Sequence, residues 1–302
     1  MINKGASNSP SLRLFMFKTY KAQAWLLLAP ALILLVAFTY LPIGNTIWRS
    51  MFGFGVQMGN QASSENYARL LDDPVFWQVL KNSALYALIT VPASIFFALM
   101  MALWVNGKIA GTGFMRLSFF TPTMLPMISV ANIWLLFYSP EIGLFNAILS
   151  WFGLSGVNWL GNPDTALYSL MTMTIWKEAG FFMIFYLAAL QTISPDLYKA
   201  AKTENASSLY IFRRITFPLL MPTTLFVFVN ALLNSFKLID HLFILTKGGP
   251  NNATNLLLYY IYENSFSFFD TAYASALTVI LLLILIVMAL VQFGVIERRI
   301  HY

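Results

Sequence analysis

Long apolar runs dominate this sequence and alternate with short polar segments. A bilayer core about 30 Å thick needs about 20 apolar residues per crossing helix. Five runs of this length carry no charged residue, and a sixth run, residues 166–192, is interrupted only by Lys177 and Glu178. The pattern therefore predicts an all-α integral membrane protein with six transmembrane helices. The five uncharged runs are residues 22–48, 82–107, 117–140, 215–236 and 271–296.

A polar segment, residues 193–222, separates the fourth and fifth runs. Pro195 can begin a helix, because proline suits the first helical position. Asn205 can adopt the left-handed conformation that ends a helix, and residues 207–215 can then resume the helix. The segment is predicted to form a compact helical knob on one face of the membrane.

The composition excludes several classes of protein. Apolar residues make up 59% and charged residues 10% of the chain, and the mean hydropathy is +0.69, whereas soluble chains carry about 25% charged residues. The chain has no cysteine and two histidines, which argues against a disulfide framework and a metal site. It has no G-x-x-x-x-G-K-S/T phosphate loop. We therefore expect no catalytic residue, metal or cofactor, and expect any ATP to be hydrolysed by another subunit.

Basic residues are distributed unevenly between the two sides of the predicted membrane. Segments 1–21, 108–116, 193–214 and 297–302 hold twelve lysines and arginines, against four in the opposite loops. Because basic residues favour cytoplasmic loops, both termini are predicted to be cytoplasmic. The net charge of +6 follows from this bias, and the scattered cations do not indicate nucleic-acid binding.

Small residues and a proline recur at fixed intervals in the polar segment. They form the groups Lys199-Ala200-Ala201, Glu204-Asn205-Ala206, Ile215 and Phe217-Pro218. This spacing resembles the EAA coupling loop of permease subunits of binding-protein-dependent ABC importers. The family's first Glu is Lys199 here and its Gly is Asn205. Because Asn also tolerates a left-handed backbone, the turn is expected to persist.

Other segments resemble the sugar-type branch of that permease family, which is maltose-like and glycerol-phosphate-like. They are residues 66–82, 143–163, 180–194, 246–250 and 291–299. The resemblance implies the type I ABC importer permease fold, with a cytoplasmic coupling helix between spans four and five. We expect an N-terminal tail, residues 1–21, and one six-span domain, residues 22–302, whose coupling loop is residues 193–222.

The resemblance also implies an assembly in a bacterial or archaeal cytoplasmic (inner) membrane. Its members would be this chain, a second homologous permease, two ATP-binding subunits and a periplasmic or extracellular solute-binding protein, with a carbohydrate-like solute. The coupling loop would dock in a cleft of an ATPase subunit. The residues assigned to ATPase coupling are Lys199, Ala200, Ala201, Glu204, Asn205, Ala206 and Pro218.

A polar stripe is predicted on the fifth span. Its members recur at spacings that place them on one helix face. Polar groups facing lipid are costly, so this face must meet protein or water. It either lines a translocation path or packs in a buried interface with a neighbouring helix. The stripe consists of Thr223, Asn230, Asn234, Lys237 and His241.

Trp176, Lys177 and Glu178 lie near the middle of the fourth span. Ionisable residues at that depth are costly and commonly functional. Trp176 could stack on a sugar ring, while Lys177 could hold a phosphate or carboxylate of an anionic solute. Alternatively, Lys177 and Glu178 neutralise each other or pair with a sibling subunit. The predicted substrate path comprises Trp176, Lys177, Glu178, Asn230, Asn234 and Lys237.

Two other hypotheses belong to different functional classes. An ion-coupled secondary transporter would use Lys177 and Glu178, but no inverted repeat is visible. A membrane enzyme would need a cluster of His, Asp or Glu side chains, which two distant histidines do not supply. Prolines inside the spans, including Pro122 and Pro126, predict either hinges for alternating access or simple packing kinks.

Overall fold

The computed structural model describes residues 10–52, 63–107, 111–237, 239–292 and 294, and only the backbone of residues 10–22. All of the secondary structure in these ranges is helical. Three π-helical stretches, Val36–Tyr40, Phe212–Thr216 and Glu263–Ser267, adjoin the α-helices. In chain order the α-helices are α1 (Pro10–Leu35), α2 (Leu41–Arg49), α3 (Glu65–Asp72), α4 (Pro74–Val105), α5 (Thr112–Met124), α6 (Met127–Phe137), α7 (Leu144–Trp151), α8 (Pro163–Thr192), α9 (Pro195–Thr203), α10 (Ser208–Ile211), α11 (Phe217–Lys237), α12 (Asp240–Leu245), α13 (Leu257–Tyr262) and α14 (Thr271–Val291).

Five helical segments are long and apolar enough to cross a membrane, and the bent pair α5 and α6, counted as one span, gives the sixth crossing that was predicted. The third crossing differs from the others, because it consists of two helices, α5 and α6, and the chain bends by 104° between them. The remaining five are long, apolar helical segments. They are Gln23–Arg49, Pro74–Val105, Pro163–Thr192, Ser208–Leu245 and Thr271–Val291.

The third span was predicted as one proline-kinked helix, and that prediction was wrong in its geometry. Leu125 has ψ 139° and Pro126 has ψ 143°, so both residues are extended and the helix is interrupted between α5 and α6. The physical reason is local, because the residue before a proline disfavours the helical conformation and proline itself lacks an N–H group.

Two helices begin earlier in the chain than the ends of the uncharged runs predicted. The second span begins at Pro74, well before the predicted residue 82, because the Asp73 side chain accepts a hydrogen bond from the backbone N–H of Val75. Helix α1 begins at Pro10, inside the predicted tail of residues 1–21. The predicted end of the last span at residue 296 lies outside the described residues.

The most extensive helix pair is α4 with α8, and α5 and α11 pack against it, while the first span packs through α2 on α14. At one end of the pair, Tyr86 of α4 packs with residues of α6, α8 and α12. Farther along, Phe182 and Tyr186 of α8 pack against α4 and α11. A third apolar cluster, containing Phe76, Tyr260 and Tyr273, joins α3, α4, α13 and α14. Helices α8 and α11, which carry the predicted substrate-path residues, therefore pack together in the second of these clusters.

A polar network joins the starts of α4 and α14. The hydroxyl groups of Tyr260 and Tyr273 each donate to the Asp73 carboxylate at 2.6 Å. Arg69 of α3 forms a salt bridge with Asp270, and its guanidinium lies 4.2 Å from the centroid of the Tyr273 ring. The network ties α3, α4, α13 and α14 together at one end of the bundle.

The ionisation of Asp73 is tuned by this network. Partial burial alone would raise the pKa of Asp73, but hydrogen bonds from Tyr260, Tyr273 and the backbone of Val75 and Phe76 outweigh that effect and lower this pKa below its usual value. A lowered folded-state pKa stabilises the fold above the unfolded-state value of about 3.9. That contribution is lost as the pH falls through the lower, folded-state pKa.

Replacing Asp73 with Asn should lower the thermal stability of the purified protein in detergent at neutral pH. A neutral amide accepts weaker hydrogen bonds from the two tyrosines, and we expect a loss of about 2 kcal/mol. The neighbouring Asp72 is exposed, so Asp72→Asn is a matched control that should melt with the wild type. Equal melting temperatures for wild type and Asp73→Asn would contradict the role assigned to the network.

Candidate functional site

The first half of the polar segment forms a short capped helix. Helix α9 begins at Pro195, and the Ser194 side chain caps it by accepting from the backbone N–H of Asp196. Asn205 has φ 55°, as predicted from its tolerance of the left-handed conformation. The N–H of Asn205 donates to the Lys202 carbonyl, and the N–H of Ala206 donates to the Ala201 carbonyl, both at 3.0 Å. This pair of bonds is a Schellman motif, which satisfies the carbonyl groups at the helix end.

The second half of the segment runs directly into the fifth span. Helix α10 starts after Ser207, whose side chain accepts from the Tyr210 N–H. The helical backbone continues through the π-helical stretch Phe212–Thr216 into α11, where Pro218 is the second residue. The hydroxyl groups of Tyr198 and Thr216 lie 3.2 Å apart, so α9 is hydrogen-bonded to the base of the fifth span.

The residues predicted to couple to an ATPase subunit divide between an exposed and a buried face of the segment. Ala201 is 8% exposed and packs inward, together with Ile211. Ala206 is partly buried, while Lys199, Ala200, Glu204 and Asn205 are exposed. Lys199 forms an exposed salt bridge of 2.9 Å with Asp196, which is worth little energetically. Lys199 at the family's Glu position therefore contacts its own helix.

Glu178 and Asn234 are brought together in the middle of the bundle. The Asn234 amide donates to the Glu178 carboxylate at 3.1 Å, which links α8 to α11. A cavity of about 10 Å³, the size of one water molecule, lies beside them between α4, α8 and α11. Its polar lining comprises Thr90, Ser94, Thr174, Glu178, Asn234 and Ser235.

Four members of the predicted stripe, Thr223, Asn230, Asn234 and Lys237, lie on α11, whereas His241 does not. Asn230 donates to the carbonyl of Phe226 in its own helix at 2.8 Å. Thr223 is partly buried and Lys237 is exposed at the end of α11. His241 lies on the separate helix α12 and is fully buried. The prediction that His241 continues the stripe was therefore wrong, because α11 ends before it.

Tyr86 is a buried polar residue that the sequence analysis missed. Its hydroxyl group lies 2.6 Å from Thr174 Oγ1 and 3.0 Å from His241 Nε2. The network therefore joins α4, α8 and α12 next to the Glu178 cavity. A tyrosine within an apolar run looks like ordinary core, and only the need of its hydroxyl for a partner could have signalled the network.

Lys177 and Glu178 do not pair with each other. Lys177 Nζ donates to the backbone carbonyls of Pro122, at 3.1 Å, and Leu125, while Glu178 faces α11. Adjacent residues on a helix do not face one another, so the pairing alternative is not what the structure shows. Trp176 is 45% exposed, and its ring centroid lies 5.5 Å from that of Trp134 in α6. Among the described residues, no three His, Asp or Glu side chains form a potential metal site.

Comparison with known proteins identifies the family. The family model described as "Binding-protein-dependent transport system inner membrane component" matches residues 94–302. The chain is 36% identical to the sulfoquinovosyl glycerol transport system permease protein of Agrobacterium fabrum over 85% of each chain. It is 32% identical to the lactose transport system permease protein of Rhizobium radiobacter, covering 93% of this chain and 96% of that relative.

A third relative is the sn-glycerol-3-phosphate transport system permease protein of Salmonella typhimurium. It is 30% identical to this chain, covering 92% of this chain and 95% of that relative. These matches give no support to the ion-coupled alternative. They confirm the predicted family and the expectation that the chain is a non-enzymatic membrane subunit.

The fold is also similar to that of solved transporters. A chain from the crystal structure of a bacterial ABC transporter involved in the import of the acidic polysaccharide alginate superposes with a TM-score of 0.81. The match is at 24% identity and covers 96% of this chain and 100% of that chain. A chain from the alginate transporter in complex with its alginate pentasaccharide-bound periplasmic protein matches with a TM-score of 0.76, at 25% identity and over 93% and 96% of the two chains.

The arrangement of membrane-spanning helices, the matched family model and the relatives agree. They place the chain in the inner membrane as a transport subunit. The chain belongs to the family of binding-protein-dependent transport system inner membrane components, the permease subunits of ABC importers.

Proposed function

We propose that this chain is one of two permease subunits lining the path of an ATP-driven importer for a carbohydrate or carbohydrate-like solute. The solute class covers oligosaccharides, polyols and glycerol phosphates. The relatives' names, which include lactose and sn-glycerol-3-phosphate, support this class. The proposed assembly adds a second homologous permease, two ATP-binding subunits and a solute-binding protein outside the membrane.

The exposed face of the polar segment carries the proposal. Leu197, Leu209 and Tyr210 are 45%, 65% and 56% exposed around this short helical knob. Exposed apolar side chains gathered in one place commonly mark a protein interface. Ala200 adds a small side chain to the surface, which permits close approach of a partner helix or cleft. We assign this surface to the ATP-binding subunit.

Movement of this surface would be transmitted to the fifth span. Ala201 and Ile211 are buried, and Tyr198 is hydrogen-bonded to Thr216, so α9 is fixed to the base of α11. Packed helices move largely as rigid bodies with small sliding displacements. A displacement of α9 by closing ATPase subunits would therefore move α11, which carries Asn230 and Asn234.

Polar and aromatic side chains near α8 and α11 suit a hydroxyl-rich solute. Trp176 borders a cavity of about 420 Å³, lined mainly by apolar side chains, and its half-exposed ring offers a stacking surface. Asn230, Asn234 and Lys237 add hydrogen-bonding groups along α11, and Glu178 adds an acceptor. We assign the solute path to α8 and α11, the helices that carry these residues.

The proposed cycle depends on differential binding to two states. The solute-loaded binding protein docks outside, and ATP binding closes the ATPase pair. The cavity between the two permeases then opens outward and receives the solute. ATP hydrolysis resets the assembly to its inward-facing state.

Ala200→Trp should disrupt coupling without disrupting the fold. The bulky ring would block close contact at an exposed position, and we expect at least about a tenfold loss of association, which corresponds to about 1.4 kcal/mol. The measurement is co-purification of the ATP-binding subunits with tagged chain from native membranes in mild detergent.

The matched control is Ala147→Trp in α7, another exposed helical alanine, which should leave co-purification unchanged. The proposal predicts that wild-type chain recovers an ATP-binding subunit and a second six-span permease. Recovery of wild-type chain alone, as a stable monomer or homo-oligomer, would contradict the proposed assembly.

The membrane orientation can be tested with single cysteines, because the chain has none of its own. Ser207 in the coupling loop and Ser155 after α7 are both exposed. A membrane-impermeant maleimide should label Ser155→Cys in intact cells, but label Ser207→Cys only after the cells are opened. The reverse labelling pattern would show that the assigned orientation, with cytoplasmic termini, is inverted.

Asn230→Leu should weaken solute recognition. The substitution keeps the side-chain size but removes the amide, so we expect the KM for uptake to rise by up to about tenfold, equivalent to one hydrogen bond. Uptake would be measured with labelled maltose, lactose and sn-glycerol-3-phosphate. Asn132 of α6 is a matched control, because it likewise donates to a carbonyl one turn earlier, that of Ile128. An unchanged KM in Asn230→Leu for a transported solute would exclude Asn230 from the path.

A further inference from the structure

The break in the third span leaves backbone carbonyl groups without helical donors. In an uninterrupted helix the Pro122 carbonyl would accept from the N–H of residue 126. That residue is proline, which has no N–H group. The Leu125 carbonyl lies in the extended connection between α5 and α6. Within a membrane such groups must find donors inside the protein.

Lys177 supplies a donor to both carbonyls. Its ammonium group lies 3.1 Å from the Pro122 oxygen and also donates to the Leu125 oxygen. A cation at this position is additionally favoured, because the C-terminal end of a helix carries partial negative charge. Lys177 has no salt-bridge partner within 4.0 Å in the described part of the chain. Its ammonium group is thus directed at the break itself.

Neighbouring residues of α8 hold the helices on either side of the break. Gly180 packs directly on α5, where an added Cβ would collide with the Phe119 carbonyl oxygen. Trp176 packs on the other side of the break, against Trp134 of α6. In this way α8 contacts α5 through Gly180, the break through Lys177 and α6 through Trp176.

We propose that Lys177 is a positioning residue that fixes the bend of the third span. By satisfying the carbonyls of Pro122 and Leu125 from α8, it holds α6 at a steep angle to α5. Helix α6 in turn packs against α12, which follows the fifth span. Lys177 therefore determines the shape of this end of the bundle through the backbone rather than by contacting solute. This role goes beyond the proposed transport function and does not depend on the identity of the solute.

The test is a distance measurement across the break in the purified full-length chain. The cysteine-free sequence allows one spin-label pair to be placed at Leu117 of α5 and Leu136 of α6, which are 58% and 55% exposed. In a straight helix these positions would be about 28 Å apart at 1.5 Å per residue. Because of the bend, the wild type should give a narrow distance distribution centred at a distance shorter than that of a straight helix.

Lys177→Met removes the donor but keeps the chain length, and should broaden the distribution toward longer distances. Lys177→Arg keeps the cation and its N–H donors, and should restore the wild-type distribution. If Lys177→Met does not accumulate, Lys177→Gln gives the same comparison, because its shorter side chain cannot reach both carbonyls. If the variant that is measured, Lys177→Met or Lys177→Gln, gives the wild-type distance distribution, the proposal is overturned.

A double-mutant cycle separates this role from general packing. Pro126→Ala restores an N–H group that can bond the Pro122 carbonyl and lengthen the helix. In that background Lys177→Met should change the distance distribution less than it does in the wild type. Equal changes in both backgrounds would show that Lys177 acts independently of the proline break, and would contradict the proposal.

Discussion

Helix ends inside this bundle must find hydrogen-bond partners within the protein, because the bilayer core offers none. Helix α8 provides the central solution. It packs along α4 and directs successive side chains to three different neighbours. Trp176 faces α6, Lys177 bonds the broken end of α5, and Glu178 accepts from Asn234 of α11. The arrangement of the third, fourth and fifth spans follows from these contacts.

Helix ends in the exposed polar segment also find their hydrogen-bond partners within the protein. Its Schellman turn satisfies the carbonyl groups of α9, and the hydrogen bond between Tyr198 and Thr216 fixes α9 to the fifth span. The result is a joint with one buried and one exposed face. Such a joint suits the transfer of a partner's movement to α11, which is the function proposed for the family's coupling loop in this chain.

The sequence predicted the features that depend on local chemistry. Apolar run length gave six crossings, and the tolerance of Asn205 for a left-handed backbone gave the turn between α9 and α10. It did not predict where each side chain of Trp176, Lys177 and Glu178 points, because that depends on helices distant in sequence. The steep bend at Pro126 was also missed, since a proline inside an apolar run is compatible with either a kink or a complete break.

The central claim is that the chain couples ATP hydrolysis to solute entry. The most direct test is uptake by proteoliposomes that contain the whole purified assembly, with binding protein outside and labelled maltose, lactose or sn-glycerol-3-phosphate as the solute. For a transported solute, the account predicts accumulation that requires ATP at the ATPase side and persists without proton or sodium gradients. Accumulation that proceeds without ATP and stops when those gradients are abolished would contradict it.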